Sequence, residues 1–132
     1  MKYITFICNK LARDKTIETM QHDKIQTKYH ILNPEELRIA LPQKLLEEAT
    51  EVANATYRAE IIAELADIFD VIDGLKKTHA ITAQEIADFQ AKKRNKRGGF
   101  ERGVFLESIT LAEESPWVKH FRASPDRYIE QS

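Results

Sequence analysis

The chain has 132 residues, 31% of them charged and nearly balanced, with a formal net charge of −1. That length suits one domain with a modest core, helped by association between copies, and the even charge excludes a general nucleic-acid sponge or an acidic tail. A single cysteine, Cys8, excludes an internal disulfide and fits a reducing cytoplasm.

The N-terminus lacks a basic region followed by an apolar core and a small-residue cleavage site. No run approaches the roughly 20 apolar residues of a membrane span, so a soluble, cytoplasmic protein with no membrane partner is expected. Residues 2–8, KYITFIC, are β-branched and aromatic and predict a short strand with Cys8 packed inside it. Asn9-Lys10-Leu11-Ala12-Arg13-Asp14-Lys15 follows, with three cations and one acid in its last six residues. It reads either as an exposed, charged helix start or as a phosphate clamp, in which Arg13 and Lys15 bond anionic oxygens and Asp14 orients one of them. Residues 24–32 alternate loosely and predict an edge strand. His22 and His30 have no partner at metal-ligand spacing and are read as surface or packing residues.

Asn33-Pro34-Glu35-Glu36 predicts a helix start, with a capping Asn, proline at the first position and an acid at the third. Pro42 is expected to kink or restart that helix. Residues 44–75 then form two amphipathic segments at helical period. Leu45, Ala49, Val52, Ala53 and Thr56 make one apolar stripe; Ile61, Leu65, Ile68, Phe69 and Ile72 make the next. At about 100° per residue, Glu48 and Glu51 flank the first stripe, and Glu64 and Asp67 take the same flank of the second. A shift of sixteen positions superposes Leu45 on Ile61, Glu48 on Glu64, Ala49 on Leu65 and Glu51 on Asp67.

A short link near residues 57–60 predicts antiparallel neighbours. Four carboxylates beside one seam repel and lose hydration, and a hard divalent cation, magnesium above all, relieves both. The plainer reading is a solvated acidic face. Repetition of the pair on the next helix brings the metal reading level with the plainer one, and both stay open on the residues alone. Glu47, Asp70 and Asp73 point further from the seam and read as solvated, with Glu47 the nearest to an exception.

Thr82 to Glu85 reads as a second capping box opening another helix, which ends in Lys92-Lys93-Arg94-Asn95-Lys96-Arg97 before Gly98. The helix dipole accounts for one or two of those charges. The rest ask for an anion. Without interleaved aromatics, a small phosphate ligand ranks above nucleic acid. Gly103 predicts a turn into a short strand reaching Leu111, and Trp117 reads as a packing anchor or a base-stacking ring.

Glu47-Glu48-Ala49-Thr50-Glu51 followed by Glu64-Leu65-Ala66-Asp67 resembles the acidic motif of the MazG-type all-α nucleotide pyrophosphohydrolases. Asn9-Lys10-Leu11-x-Arg13-Asp14-Lys15 and Lys93-Arg94-x-Lys96-Arg97-Gly98-Gly99-Phe100 narrow the resemblance to a subgroup of predicted house-cleaning nucleotide pyrophosphatases. Thr16 and Ile17 depart from that subgroup's usual Lys-Ile-Pro. The resemblance implies one mainly all-α domain over residues 1–132, a helical bundle with short peripheral strands that forms homodimers or homotetramers. It implies hydrolysis of a nucleoside triphosphate to monophosphate and pyrophosphate. Carried over residue by residue, Glu48, Glu51, Glu64 and Asp67 would hold magnesium or manganese, with Glu47 and Glu48 as the catalytic pair and Glu47 orienting water. Lys10, Arg13, Lys15, Lys93, Arg94, Lys96 and Arg97 would hold phosphates. Two alternatives stay open: a phosphoribosyl-ATP pyrophosphatase on the same scaffold, and a non-catalytic helical module binding phosphate or an acidic partner.

Overall fold

The computed structural model describes residues 1–131 and is mainly helical: α1 Thr16–His22, α2 Pro34–Asn54, α3 Arg58–Thr78, α4 Ala83–Arg97 and α5 Trp117–Arg122. The chain divides into two compact units, Met1–Lys93 and Arg94–Ser132. Among the described residues no helix is long and apolar enough to cross a membrane.

The start of α2 follows from its sequence. The Asn33 side chain accepts the Glu36 N–H at 2.9 Å, the Glu36 carboxylate accepts the Asn33 N–H at 3.1 Å, and Pro34 occupies the first turn. Such a cap supplies partners to N–H groups that the helix itself leaves bare. Of the kink or restart expected at Pro42, the restart does not occur: α2 runs unbroken for 21 residues with Pro42 inside it. Proline removes one ladder bond and crowds the preceding turn. Offsetting that cost, Leu41 beside it is one of two buried apolar side chains among the described residues, and Arg38 Nε donates to the Thr78 carbonyl at 3.2 Å.

Three residues, 55–57, reverse the chain into α3, so Thr56 lies in the link and not on a helix face. Arg38 meets Thr78, and Leu41 meets Gly74. Glu48 meets Glu64 nearer the link. The two helices are therefore antiparallel, as expected. A Cβ built at Gly74 would stand 3.1 Å from Leu41 Cδ2, so glycine there lets the helices close on each other. The seam is formed by buried Leu41, Val71 and Glu48, with half-buried Leu45, Val52, Ile68, Ile72 and Leu75.

That seam corrects the sequence reading. Ile61, Leu65 and Phe69, expected to pack inward, are 37%, 42% and 66% exposed, and Ala49 and Ala53 are exposed with them. Glu48 and Glu64 turn inward in their place. Periodicity identifies a face; it does not say which neighbour covers it.

The three expected strands are also corrected: no strand forms among the described residues. β-branched and aromatic composition becomes a strand only where a ladder partner exists, and a lone extended segment has none. Cys8, read as packed, is exposed. The turns fare better. Thr82 and Glu85 exchange the capping-box bonds that open α4, and Gly98, at φ +77°, ends it with its N–H on the Arg94 carbonyl at 2.8 Å. The charged helix start read at residues 9–15 leads into α1, a helix of 7 residues whose N-cap is Lys15, whereas α5, with 6 residues, has few periods to show and was not read from the sequence.

Candidate metal centre

Each of α2 and α3 carries two acids spaced i, i+3, and the antiparallel hairpin turns both pairs toward one another. One carboxylate oxygen from each of Glu48, Glu51, Glu64 and Asp67 lies within 4.8 Å of all the others. Glu48 is buried, Glu64 and Asp67 are half-buried and Glu51 is exposed, so the cluster opens to solvent on one side. The four residues named from the sequence are the four brought together.

Burial makes the cluster costly as it stands. Among the described residues Oε2 of Glu48 and Oε2 of Glu64 are buried with no hydrogen-bond partner. When all four groups are ionised, no donor reaches those oxygens. A shared proton is the local remedy: the Glu64 carboxyl is pushed up to about 7, first by the hydrogen bond it shares with Glu51, then by burial, then by Glu48. A hard divalent cation meets the same need with oxygen ligands and two positive charges. The donor set fits such an ion.

Three cations border the acids. Lys44 Nζ stands 3.2 Å from Glu47 Oε2 and 3.3 Å from Glu48 Oε1, with only 19% of its side chain exposed. Desolvation works against its charge, but hydrogen bonds to Glu47 and Glu48 outweigh it and hold Lys44 above its usual range. The sequence reading missed Lys44, although its i, i+3 and i, i+4 spacing to those acids was available as a signal. Lys10 Nζ reaches Glu47 Oε1 at 3.2 Å. Glu47 therefore sits outside the four-carboxylate group, in ion pairs with two lysines. Burial alone would raise its pKa, but Lys44 and Lys10 hold it below the usual carboxylate range. Asn9, Lys10, Leu11, Ala40, Gln43, Lys44 and Glu47 line a small cleft at this point. Arg13 donates to Asp67 Oδ1 at 2.5 Å and to Asp70 Oδ2 at 2.7 Å.

The other basic residues are placed differently. Lys15 is the N-cap of α1 and joins no ion pair among the described residues. Lys93 stands 5.8 Å from the centre of the Phe89 ring. Arg94, Lys96 and Arg97 belong to the second unit, where Arg94 is paired with Glu101 at 2.6 Å. In that unit the sequence reading also missed an aromatic group: Phe121 packs edge-on against Tyr128 at 4.9 Å and against His120 at 5.2 Å, and Trp117 meets His120 at 5.6 Å.

Fold and site together define a mainly helical protein with a four-carboxylate cluster on a helical hairpin. No protein-family model, curated protein or solved structure matches the chain.

Proposed function

We propose that this chain is a magnesium-dependent nucleoside triphosphate pyrophosphohydrolase of MazG type, acting on a non-standard or damaged nucleotide, with manganese as an alternative ion. The observation that carries the reading is the convergence of Glu48, Glu51, Glu64 and Asp67, with unpartnered buried oxygens on Glu48 and Glu64. A divalent ion bound there supplies charge neutralisation for phosphate oxygens and lowers the pKa of a bound water. In the reaction the oxygen of water bonds to the α-phosphorus, its proton leaves to a base, and the bond to the bridging oxygen breaks to release pyrophosphate. Lys10 and Arg13 lie on the same helices' acids and are the cations best placed to hold the leaving phosphates. Glu47, tied to two lysines, serves this reading better as their anchor than as a proton acceptor.

A homo-oligomer belongs to the same proposal. Only Leu41 and Val71 are buried apolar residues among those described, and neither completely, whereas Leu46, Ile61, Ile62, Leu65 and Phe69 are exposed on α2 and α3. A chain this small gains most of its missing core from a second copy. A panel of standard, oxidised, methylated and deaminated triphosphates with magnesium, scored for pyrophosphate, tests the activity. Release from at least one of them supports it. Release from phosphoribosyl-ATP alone moves the assignment to that enzyme, and release from none, with phosphate binding retained, moves it to a binding module.

A further inference from the structure

Two of the three cations around the cluster come from one short segment. Lys10 pairs with Glu47 on α2 and Arg13 pairs with Asp67 and Asp70 on α3, so residues 10–13 strap the two helices together beside the acids. Arg13 and Lys44 are held differently. Lys44 is rooted in α2 and mostly covered, whereas the Arg13 side chain is 59% exposed and comes from a segment without helix or strand. Ion pairs this exposed are given up at little cost.

Asp67 has two claims on it. It belongs to the four carboxylates that converge, and it also accepts from the Arg13 guanidinium at 2.5 Å. A divalent ion and a guanidinium on one aspartate repel each other, and that repulsion is stronger in a partly desolvated site than in water. The independent sign that the cluster takes a ligand is Glu48, 4% exposed, with Oε2 unpartnered among the described residues.

We propose that Arg13 is an exchangeable counter-cation: it holds Asp67 and Asp70 while the cluster lacks a divalent ion, and yields Asp67 to the ion while its guanidinium turns to the anion that arrives with it. The inference rests on reading the cluster as a divalent-cation site and adds a coupling between the ion and the anion. Arg13 opposes the ion alone, because its pairs must be broken. With a phosphate-bearing anion present, the freed guanidinium gains a bidentate partner instead. Removing Arg13 therefore acts with opposite signs on the two ligands.

The test is calorimetric titration of the full chain and of Arg13→Gln, first with magnesium or manganese alone, then with pyrophosphate at saturating magnesium. The Arg13 ion pairs are exposed and contribute little to stability, so the variant is expected to fold. The expected result is that Arg13→Gln binds the ion alone about fivefold tighter, or about 1 kcal/mol at 1.4 kcal/mol per tenfold. Pyrophosphate binding should weaken about fivefold or more. In the unmutated chain, amide exchange over residues 10–15 should quicken on adding the ion and slow again on adding pyrophosphate. Ion binding by Arg13→Gln that is unchanged or weaker overturns the proposal. Failure of the unmutated chain to bind any divalent ion is a different result, and removes the metal site itself.

Discussion

Glu64→Gln separates a metal site from a solvated acidic face most sharply, because Glu64 carries the proton that the metal-free cluster needs. Its carboxyl is pushed up to about 7 by Glu51, burial and Glu48. An ion that requires Glu64 ionised must displace that proton. With a pKa of about 7, apparent affinity falls by a factor of about 1.1 at pH 8, about 11 at pH 6 and about 100 at pH 5. Proton release on binding is correspondingly about 0.9 at pH 6 and about 0.1 at pH 8. Glutamine resembles the protonated form at every pH, so the variant should show no such titration. It should also bind magnesium about 10- to 100-fold more weakly at pH 8 and lose pyrophosphate release by about 100-fold or more. Stability supplies an independent sign. The folded chain holds this proton more tightly than the unfolded chain, so the stabilisation is present below about pH 4.5 and is lost as pH rises through about 7. In chelator the unmutated protein should therefore melt lower at pH 8 than at pH 5.5. Glu64→Gln should match it at the lower pH and exceed it at the higher. Magnesium titrations in two buffers of different ionisation enthalpy, at pH 6 and pH 8, read the proton count directly. Equal magnesium affinity for both proteins, or a proton count that does not change with pH, refutes the assignment of Glu64.

Phe69→Asp places a charge on the outward apolar side of α3, where Phe69 is 66% exposed; sedimentation velocity should show a shift from oligomer to monomer, and an unmutated chain that is already monomeric would contradict the proposed assembly. Gly74→Val drives a branched side chain into Leu41, whose Cδ2 already lies 3.1 Å from a Cβ built there; crowding of this kind costs about 1–3 kcal/mol. Urea denaturation of Gly74→Val, Leu41→Ala and the double variant should show the two losses to be less than additive, since the smaller residue makes room for the larger.

Parts of this molecule were legible because the responsible physics is local. The capping boxes at Asn33 and Thr82 need only two residues three apart, and both formed. The acid cluster was legible because its spacing repeats on two helices joined by a short link, so one rotation serves both pairs. Other features depended on neighbours. Which stripe of α3 would be covered was decided by the rotation that brought Leu41 against Gly74 and carried Leu65 and Phe69 outward. Pro42 could stay inside α2 because Leu41 is anchored in the seam. The β-prone segments lacked a partner, which composition does not reveal. Lys44 was overlooked because a lysine beside two glutamates on a helix ordinarily marks a solvated pair, and its burial appears only in the folded chain, where it lines a cleft with residues 9–11.

The sixteen-residue repeat on antiparallel helices gives the hairpin an approximate local dyad, with Glu48 related to Glu64 and Glu51 to Asp67. Lys44 breaks it. The position sixteen residues on from Lys44 is Glu60, so α2 has a cation one turn before its inner glutamate where α3 has another acid. The carboxyl held above its ordinary range, by Glu51, burial and Glu48, is on the α3 half, at Glu64. The two halves, alike in shape, are unlike in polarity, and any group entering between them meets a site with a direction.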